Sequence, residues 1–202
     1  MTRFTRIVAA TLLVVGGTAL AGCGTSAPTT QAPAPTPAPV ASAPKKANLY
    51  LTILSGGQNG KKEWPNFLPS NFTIPADTDV TVTIADFDDG AAPIPADSAK
   101  VQGTVDGSMT VISALNGDLS KAPSKNVTEL PADIVAHTFT INDNGFNLNV
   151  PIPAEATVTF TFHSPKAGTY SYRCLSGCGT GSTGTEGAMA TDGWMRGTVT
   201  VQ

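Results

Sequence analysis

The sequence predicts an all-β protein, a Greek-key β-sandwich, on three observations. Val, Thr and aromatic residues alternate at period two in run after run beyond residue 46. Gly, Pro, Asn and Asp break these runs into short lengths, and no stretch there repeats its apolar residues at helical spacing for three turns. Period-two alternation places one side of a strand in a core and the other toward water. Many short strands with frequent turns pack as two facing sheets.

Before the strands come two segments of different character. Arg3 and Arg6 precede an apolar run over 7–20, which is too short to span a bilayer and fits a signal-peptide core. The run ends in Leu20-Ala21-Gly22-Cys23, which looks like a lipobox, an aliphatic residue and two small ones before the cysteine that is acylated. Residues 1–22 are therefore expected to be a lipoprotein signal peptide, with Cys23 as the lipidation site. The mature protein is then expected on the extracytoplasmic face of the cell membrane, its membrane partner reached through the lipid anchor. Residues 23–46 are Ala, Pro, Thr and Ser with almost nothing large and apolar, a composition that extends as a tether and buries no core. The folded domain is expected over 47–202.

Within that domain the strand signals fall in order at 48–54, 79–84, 108–112, 137–141, 157–162, 168–172 and 197–201. In the second, Val80, Val82 and Ile84 share one face while threonines occupy the other. Pro75-Ala76-Asp77-Thr78 and Pro153-Ala154-Glu155-Ala156 read as equivalent turns ahead of strands. Asp86-Phe87-Asp88-Asp89-Gly90 clusters carboxylates but lacks the ligand spacing of a calcium loop, so a solvated turn is expected.

The formal charge of −3 grows more negative once Arg3 and Arg6 leave with the signal, and basic residues are scattered, which argues against nucleic acid as a partner. The chain has no nucleophile elbow, phosphate loop or zinc-protease helix, and no enzyme is predicted. Of three cysteines, Cys23 is assigned to lipid. Cys174 and Cys178 are left four positions apart in an oxidising compartment, as a small disulfide loop or a pair of metal ligands.

Three segments carry the candidate chemistry: Ala136-His137-Thr138-Phe139, Gly168-Thr169-Tyr170-Ser171-Tyr172-Arg173-Cys174, and Met195-Arg196-Gly197-Thr198-Val199-Thr200-Val201. A histidine opening one strand, a cysteine ending another and a methionine opening the last can meet at one pole of a sandwich. Imidazole, thiolate and thioether together suit copper. On these segments the domain resembles a cupredoxin, the blue-copper β-sandwich. The resemblance implies copper as cofactor, His137 and Cys174 as ligands, Met195 as the axial thioether, and a redox or copper-transfer protein as partner. The family's second histidine, between the cysteine and the methionine, has no counterpart here. His163, the only other histidine, is expected far from the site. Cys174-Leu175-Ser176-Gly177-Cys178-Gly179 is similar to the cysteine loop of the binuclear copper domain of cytochrome oxidase subunit II, but Ser182 and Thr185 stand where that domain has its histidine and methionine.

The cysteine pair then has three readings. Cys178 replaces the missing histidine, giving a His137, Cys174 and Cys178 site with Met195 or Met189 weakly axial; or the cysteines form a disulfide in a metal-free domain; or oxidation of the pair closes a metal site. The corresponding functions are a membrane-anchored copper-binding protein for electron transfer or copper handling, and a metal-free cupredoxin-fold binding or structural module of the cell envelope. An envelope redox protein working through the pair lacks the thioredoxin-type Cys-x-x-Cys.

Overall fold

The computed structural model describes residues 43–202. The expected signal peptide, Cys23 and most of the tether lie outside the described residues. Eleven strands follow: β1 (Lys45–Leu54), β2 (Asn66–Leu68), β3 (Asn71–Ile74), β4 (Thr78–Asp86), β5 (Met109–Ile112), β6 (Ser124–Val127), β7 (Val135–Asp143), β8 (Phe146–Pro153), β9 (Thr157–His163), β10 (Gly168–Arg173) and β11 (Arg196–Val201). Among the described residues the helical elements are three short 3-10 turns, and no helix is long and apolar enough to cross a membrane. β1 takes in Lys45 and Lys46, two residues that the sequence reading gave to the tether, because they pair in register with Thr78 and Asp79 of β4.

The strands form a six-stranded sheet in the order β2-β1-β4-β9-β5-β6 and a five-stranded sheet in the order β3-β11-β10-β7-β8. β1 runs parallel to β4 and β3 parallel to β11, so the chain crosses between the sheets several times, as a Greek-key sandwich requires. The alternation read from the sequence is the alternation of burial. In β4, Val80, Val82 and Ile84 are fully buried and the intervening threonines are half-exposed. On β4 and β9 those threonines face each other in pairs, Thr81 with Thr161 at 3.0 Å and Thr83 with Thr159 at 3.4 Å.

β6 and β8 carry no clean alternation. β8 includes Pro151 and Pro153, yet it is the edge of its sheet, where a missing N–H can face away from the one neighbouring strand. The two predicted turn acids, Asp77 and Glu155, share a left-handed backbone conformation at φ 50, which supports their equivalence.

Between the sheets lies an aromatic cluster centred on Phe139 and Tyr172, whose rings are 5.1 Å apart. Phe67 meets Tyr172 edge-on at 5.4 Å, and Phe160 lies 6.2 Å from Phe139. Tyr172 donates its hydroxyl to the Ser70 carbonyl at 3.0 Å, so its polar end is satisfied at the edge of the core. These rings hold β7 and β10 against the opposite sheet directly below the pole where His137 and Cys174 emerge. Phe139→Ala is expected to destabilise the domain by about 3–5 kcal/mol, and Tyr172→Phe by about 1 kcal/mol, as measured by chemical denaturation.

Candidate metal centre

His137 owes its orientation to an irregularity in β7. The pairing of β7 with β8 shifts by one residue between Val135 and His137, leaving Ala136 as the extra residue of a bulge. Bulges bend a strand and re-aim the side chains beside them. Here all three residues from Val135 to His137 are fully buried, and the imidazole turns toward the end of β10.

Cys174 follows β10 directly, held by two hydrogen bonds of its own and by a network through the next residue. Its N–H donates to the Met195 carbonyl at 2.8 Å. The Thr138 N–H donates to its sulfur at 3.4 Å. Leu175 N–H donates to Thr138 Oγ1 at 2.8 Å, and the chain continues from Thr138 to Thr140 at 2.9 Å and from Thr140 to Asn149 Oδ1 at 2.8 Å. Thr140 spends its hydroxyl proton on Asn149, so Thr138 must be the donor to Thr140. Asn149 in turn donates to the carbonyls of Ser98 and Lys100 at 3.0 and 2.7 Å. A directed network thus runs from the cysteine loop through β7 and β8 into the β4–β5 connection.

The glycine-rich loop after Cys174 is folded tightly on itself. Gly177 N–H reaches the Pro93 carbonyl at 2.7 Å, and Gly179 N–H the Gly184 carbonyl at 2.7 Å. Gly184 sits at φ 68 against the Gly177 carbonyl, where no side chain fits, and a Cβ on Gly179 would press on Met189 Cγ at 2.8 Å. Close packing of this backbone brings Cys178 and Met189 back over Cys174.

The result is a compact donor group. Cys174 Sγ lies 3.9 Å from His137 Nδ1 and 3.6 Å from Cys178 Sγ. One ligand atom from each of His137, Cys174 and Cys178 falls within 4.8 Å of the others. Cys178 Sγ continues to Met189 Sδ at 3.2 Å. Both cysteines are free thiols in this structure, with their sulfurs 3.6 Å apart. Met195 is fully buried at the mouth of β11 and is tied to Cys174 through its backbone carbonyl, whereas the thioether in contact with the cysteine pair is that of Met189.

Two carboxylates complete the surroundings, and the expectation of a solvated turn at 86–90 is corrected at both. Asp86 occupies the next inward position after Val80, Val82 and Ile84, and it is fully buried at the end of β4. Its Oδ1 accepts the Asp88 N–H at 2.9 Å. Asp88 Oδ2 reaches His137 Nε2 at 3.1 Å, and Asp86 Oδ1 stands 3.8 Å from the same nitrogen. The inward phase of β4 was the signal that could have placed Asp86 here.

These contacts set the protonation of the metal-free site. Burial by itself would lower the His137 pKa, but the Asp88 hydrogen bond, the Cys174 contact and the Asp86 charge together raise it to about 10. Burial raises Asp86 to about 7, against the pull of the His137 charge. For Cys174 the burial penalty is outweighed by hydrogen bonds with Cys178 and His137 and by the His137 charge, which take its pKa well below 9.0. Cys178 is driven upward by its hydrogen bond to Cys174 and by burial. The shifts run in opposite directions: His137 is favoured in its charged form, the Cys174 thiol is lowered and the Cys178 thiol is raised.

His163 lies where the sequence placed it, away from this group. It ends β9 opposite Asp79, roughly 20 Å along β4 from Asp86 at ordinary strand rise. It bridges Asp79 through Nδ1 at 2.9 Å and Asp77 through Nε2 at 3.1 Å.

No protein-family model matches the chain, and no curated protein does. Among solved structures it is similar to auracyanin B, at 16% identity over 81% of this chain and 93% of that one, with a TM-score of 0.35. It is also similar to auracyanin A, a "blue" copper protein of Chloroflexus aurantiacus, at 17% identity over 78% and 99% of the two chains, with a TM-score of 0.36. A third is a purple cupredoxin from Nitrosopumilus maritimus, at 16% identity over 76% and 99%, with a TM-score of 0.32.

Two titrations check the electrostatics. In metal-free, reduced protein carrying Cys23→Ser, ultraviolet thiolate absorbance should show one thiol ionising well below 9.0 and the other above it, and Cys174→Ser should remove the low step. For His163, the hydrogen bonds to Asp79 and Asp77 raise the folded pKa above 6.5. A raised folded pKa means that the pairing stabilises the fold fully below 6.5 and that its contribution fades as pH rises through the folded value. The NMR titration midpoint of His163 should exceed 6.5 and fall back toward it in Asp79→Asn.

Proposed function

We propose that the chain is a lipid-anchored, extracytoplasmic copper-binding protein, of cupredoxin type, that carries electrons or handles copper for a protein partner. The observation that carries this reading is the convergence of one ligand atom from each of His137, Cys174 and Cys178 within 4.8 Å of one another, with His137 Nδ1 3.9 Å from Cys174 Sγ. Thiolates and imidazole also suit zinc, but zinc sites draw on Cys, His, Asp and Glu, whereas the thioether of Met189 against Cys178 adds a soft donor that favours Cu(I). His137, Cys174, Cys178 and Met189 would hold the ion, and Met195 takes the neighbouring buried position. Copper, when bound, would supply one-electron redox chemistry.

The residues around the ion have their own tasks. The Thr138 N–H bonded to Cys174 sulfur draws charge from the thiolate and fixes its direction. The network from Leu175 to Asn149 keeps the ligand loop in place. Near-complete burial of His137 and Cys174 keeps water from the donors, while Cys178, only partly buried, gives the side from which a partner approaches. Metal entry requires the protons on His137 Nδ1 and Cys178 to leave, so uptake should release protons to solvent. The membrane location rests on the lipobox that ends in Cys23 and on the Pro-rich tether.

The test is reconstitution of the reduced protein carrying Cys23→Ser, which leaves Cys174 and Cys178 as its only thiols. One Cu(I) per chain is expected, with zinc competing poorly. Cu(II) should give sulfur-to-copper charge-transfer absorption that Cys174→Ser abolishes. Cys178→Ser should cost more than the 10–100-fold in affinity that is typical of a group outside the ligand set. Failure of the reduced protein, with both thiols titratable, to retain copper would overturn the proposal.

A further inference from the structure

The carboxylates behind His137 are not accounted for by ligand chemistry. Asp86 has no solvent exposure, and its Oδ2 has no hydrogen-bond partner among the described residues. A buried carboxylate is costly unless a charge or donor compensates it. Among the described residues the ring in contact with both acids is that of His137, which presents Nδ1 to Cys174 and Nε2 to the two acids. The two acids have different tasks. Asp88 makes the hydrogen bond to Nε2 at 3.1 Å. Asp86 accepts the Asp88 N–H at 2.9 Å, which turns the loop so that the Asp88 side chain aims at the ring, and adds a second negative charge 3.8 Å from Nε2.

An imidazole can present either nitrogen to a metal, and the hydrogen bond at one nitrogen decides which remains for the ion. We propose that Asp86 and Asp88 are positioning residues for His137: they hold its Nε2–H, leave Nδ1 as the atom facing the cysteines, and place negative charge that favours the more highly charged oxidation state of a bound copper ion. The part concerning copper rests on the function proposed above. The anchoring of the ring does not, since it is a property of the metal-free protein.

The structure also explains why these acids escape a simple structural role. A carboxylate that only closed the end of β4 would need the Asp88 N–H and nothing more. Asp88, with its side chain 21% exposed, could turn to water, yet it points inward to a ring that is wholly buried. Substitution by asparagine separates the two tasks, because an amide oxygen keeps the acceptor and removes the charge.

The experiment reads the metal-free protein first. Long-range 1H–15N NMR should show a His137 Nε2–H that exchanges slowly in the wild type and in Asp88→Asn but rapidly in Asp88→Ala. The copper-loaded proteins are read next. Asp88→Asn and Asp86→Asn should each lower Cu(II) affinity relative to Cu(I) by about tenfold, which raises a one-electron potential by about 59 mV. Asp88→Ala should also lower Cu(I) affinity by about 10–100-fold. Thermal unfolding of each variant reports whether the fold persists, and the Asn variants keep the measurement open if the alanine variant unfolds. Unchanged Nε2–H exchange in Asp88→Ala together with an unchanged potential in both Asn variants overturns the proposal. If no variant takes up copper while the Nε2–H still depends on Asp88, the anchoring is upheld and the copper reading is what fails.

Discussion

The antiparallel pairing of β7 with β10 is the constraint on which the candidate centre depends. Ile141 lies opposite Tyr172 and Thr140 opposite Arg173, so the next residue of β10, Cys174, comes out beside Thr138 and His137. A shift of one residue would turn every side chain of one strand to the other face, and with it the cysteine away from the imidazole. Phe139 and Tyr172, 5.1 Å apart in the core, resist that shift from below. The Thr138 N–H on the Cys174 sulfur and the Leu175 N–H on Thr138 Oγ1 resist it from above. Sheet register, core packing and ligand placement are therefore one problem with one solution.

The second constraint is electrostatic. Two cysteines and two aspartates crowd around one histidine, with His137, Cys174 and Asp86 buried and Cys178 and Asp88 partly so. The Asp88 hydrogen bond, the Cys174 contact and the Asp86 charge favour a charged His137 against its burial, while the shared contact lowers the Cys174 thiol and raises that of Cys178. The His137 ring thus stands between sulfur on one side, at 3.9 Å, and carboxylate oxygens on the other, at 3.1 and 3.8 Å. The glycine-rich loop keeps its shape through its own backbone hydrogen bonds, Gly177 N–H to the Pro93 carbonyl and Gly179 N–H to the Gly184 carbonyl.

Much of the architecture was legible because burial follows period two. β4, β9, β10 and β11 announce themselves through Val, Thr and aromatic alternation, and their observed ends agree with the sequence reading to within two residues. β8 was illegible because its prolines, tolerated at a sheet edge, break the pattern that marks a strand. Within the centre, His137, Cys174 and Cys178 could be read from residue type and spacing. The contact of Met189 with Cys178 depends on the tertiary path of the loop, which spacing does not encode. Asp86 was misread as part of a solvated turn, since composition suggests solvent for three nearby acids while strand phase sends the first of them inward.

The central claim is that the two cysteines and His137 bind one ion together. Copper K-edge X-ray absorption on the reconstituted protein tests it most directly, since it counts the atoms around the metal. A shell with two thiolate sulfurs and one imidazole nitrogen is expected, reduced to one short sulfur in Cys178→Ser. A shell of nitrogen and oxygen alone, or one unchanged by Cys178→Ser, would contradict it.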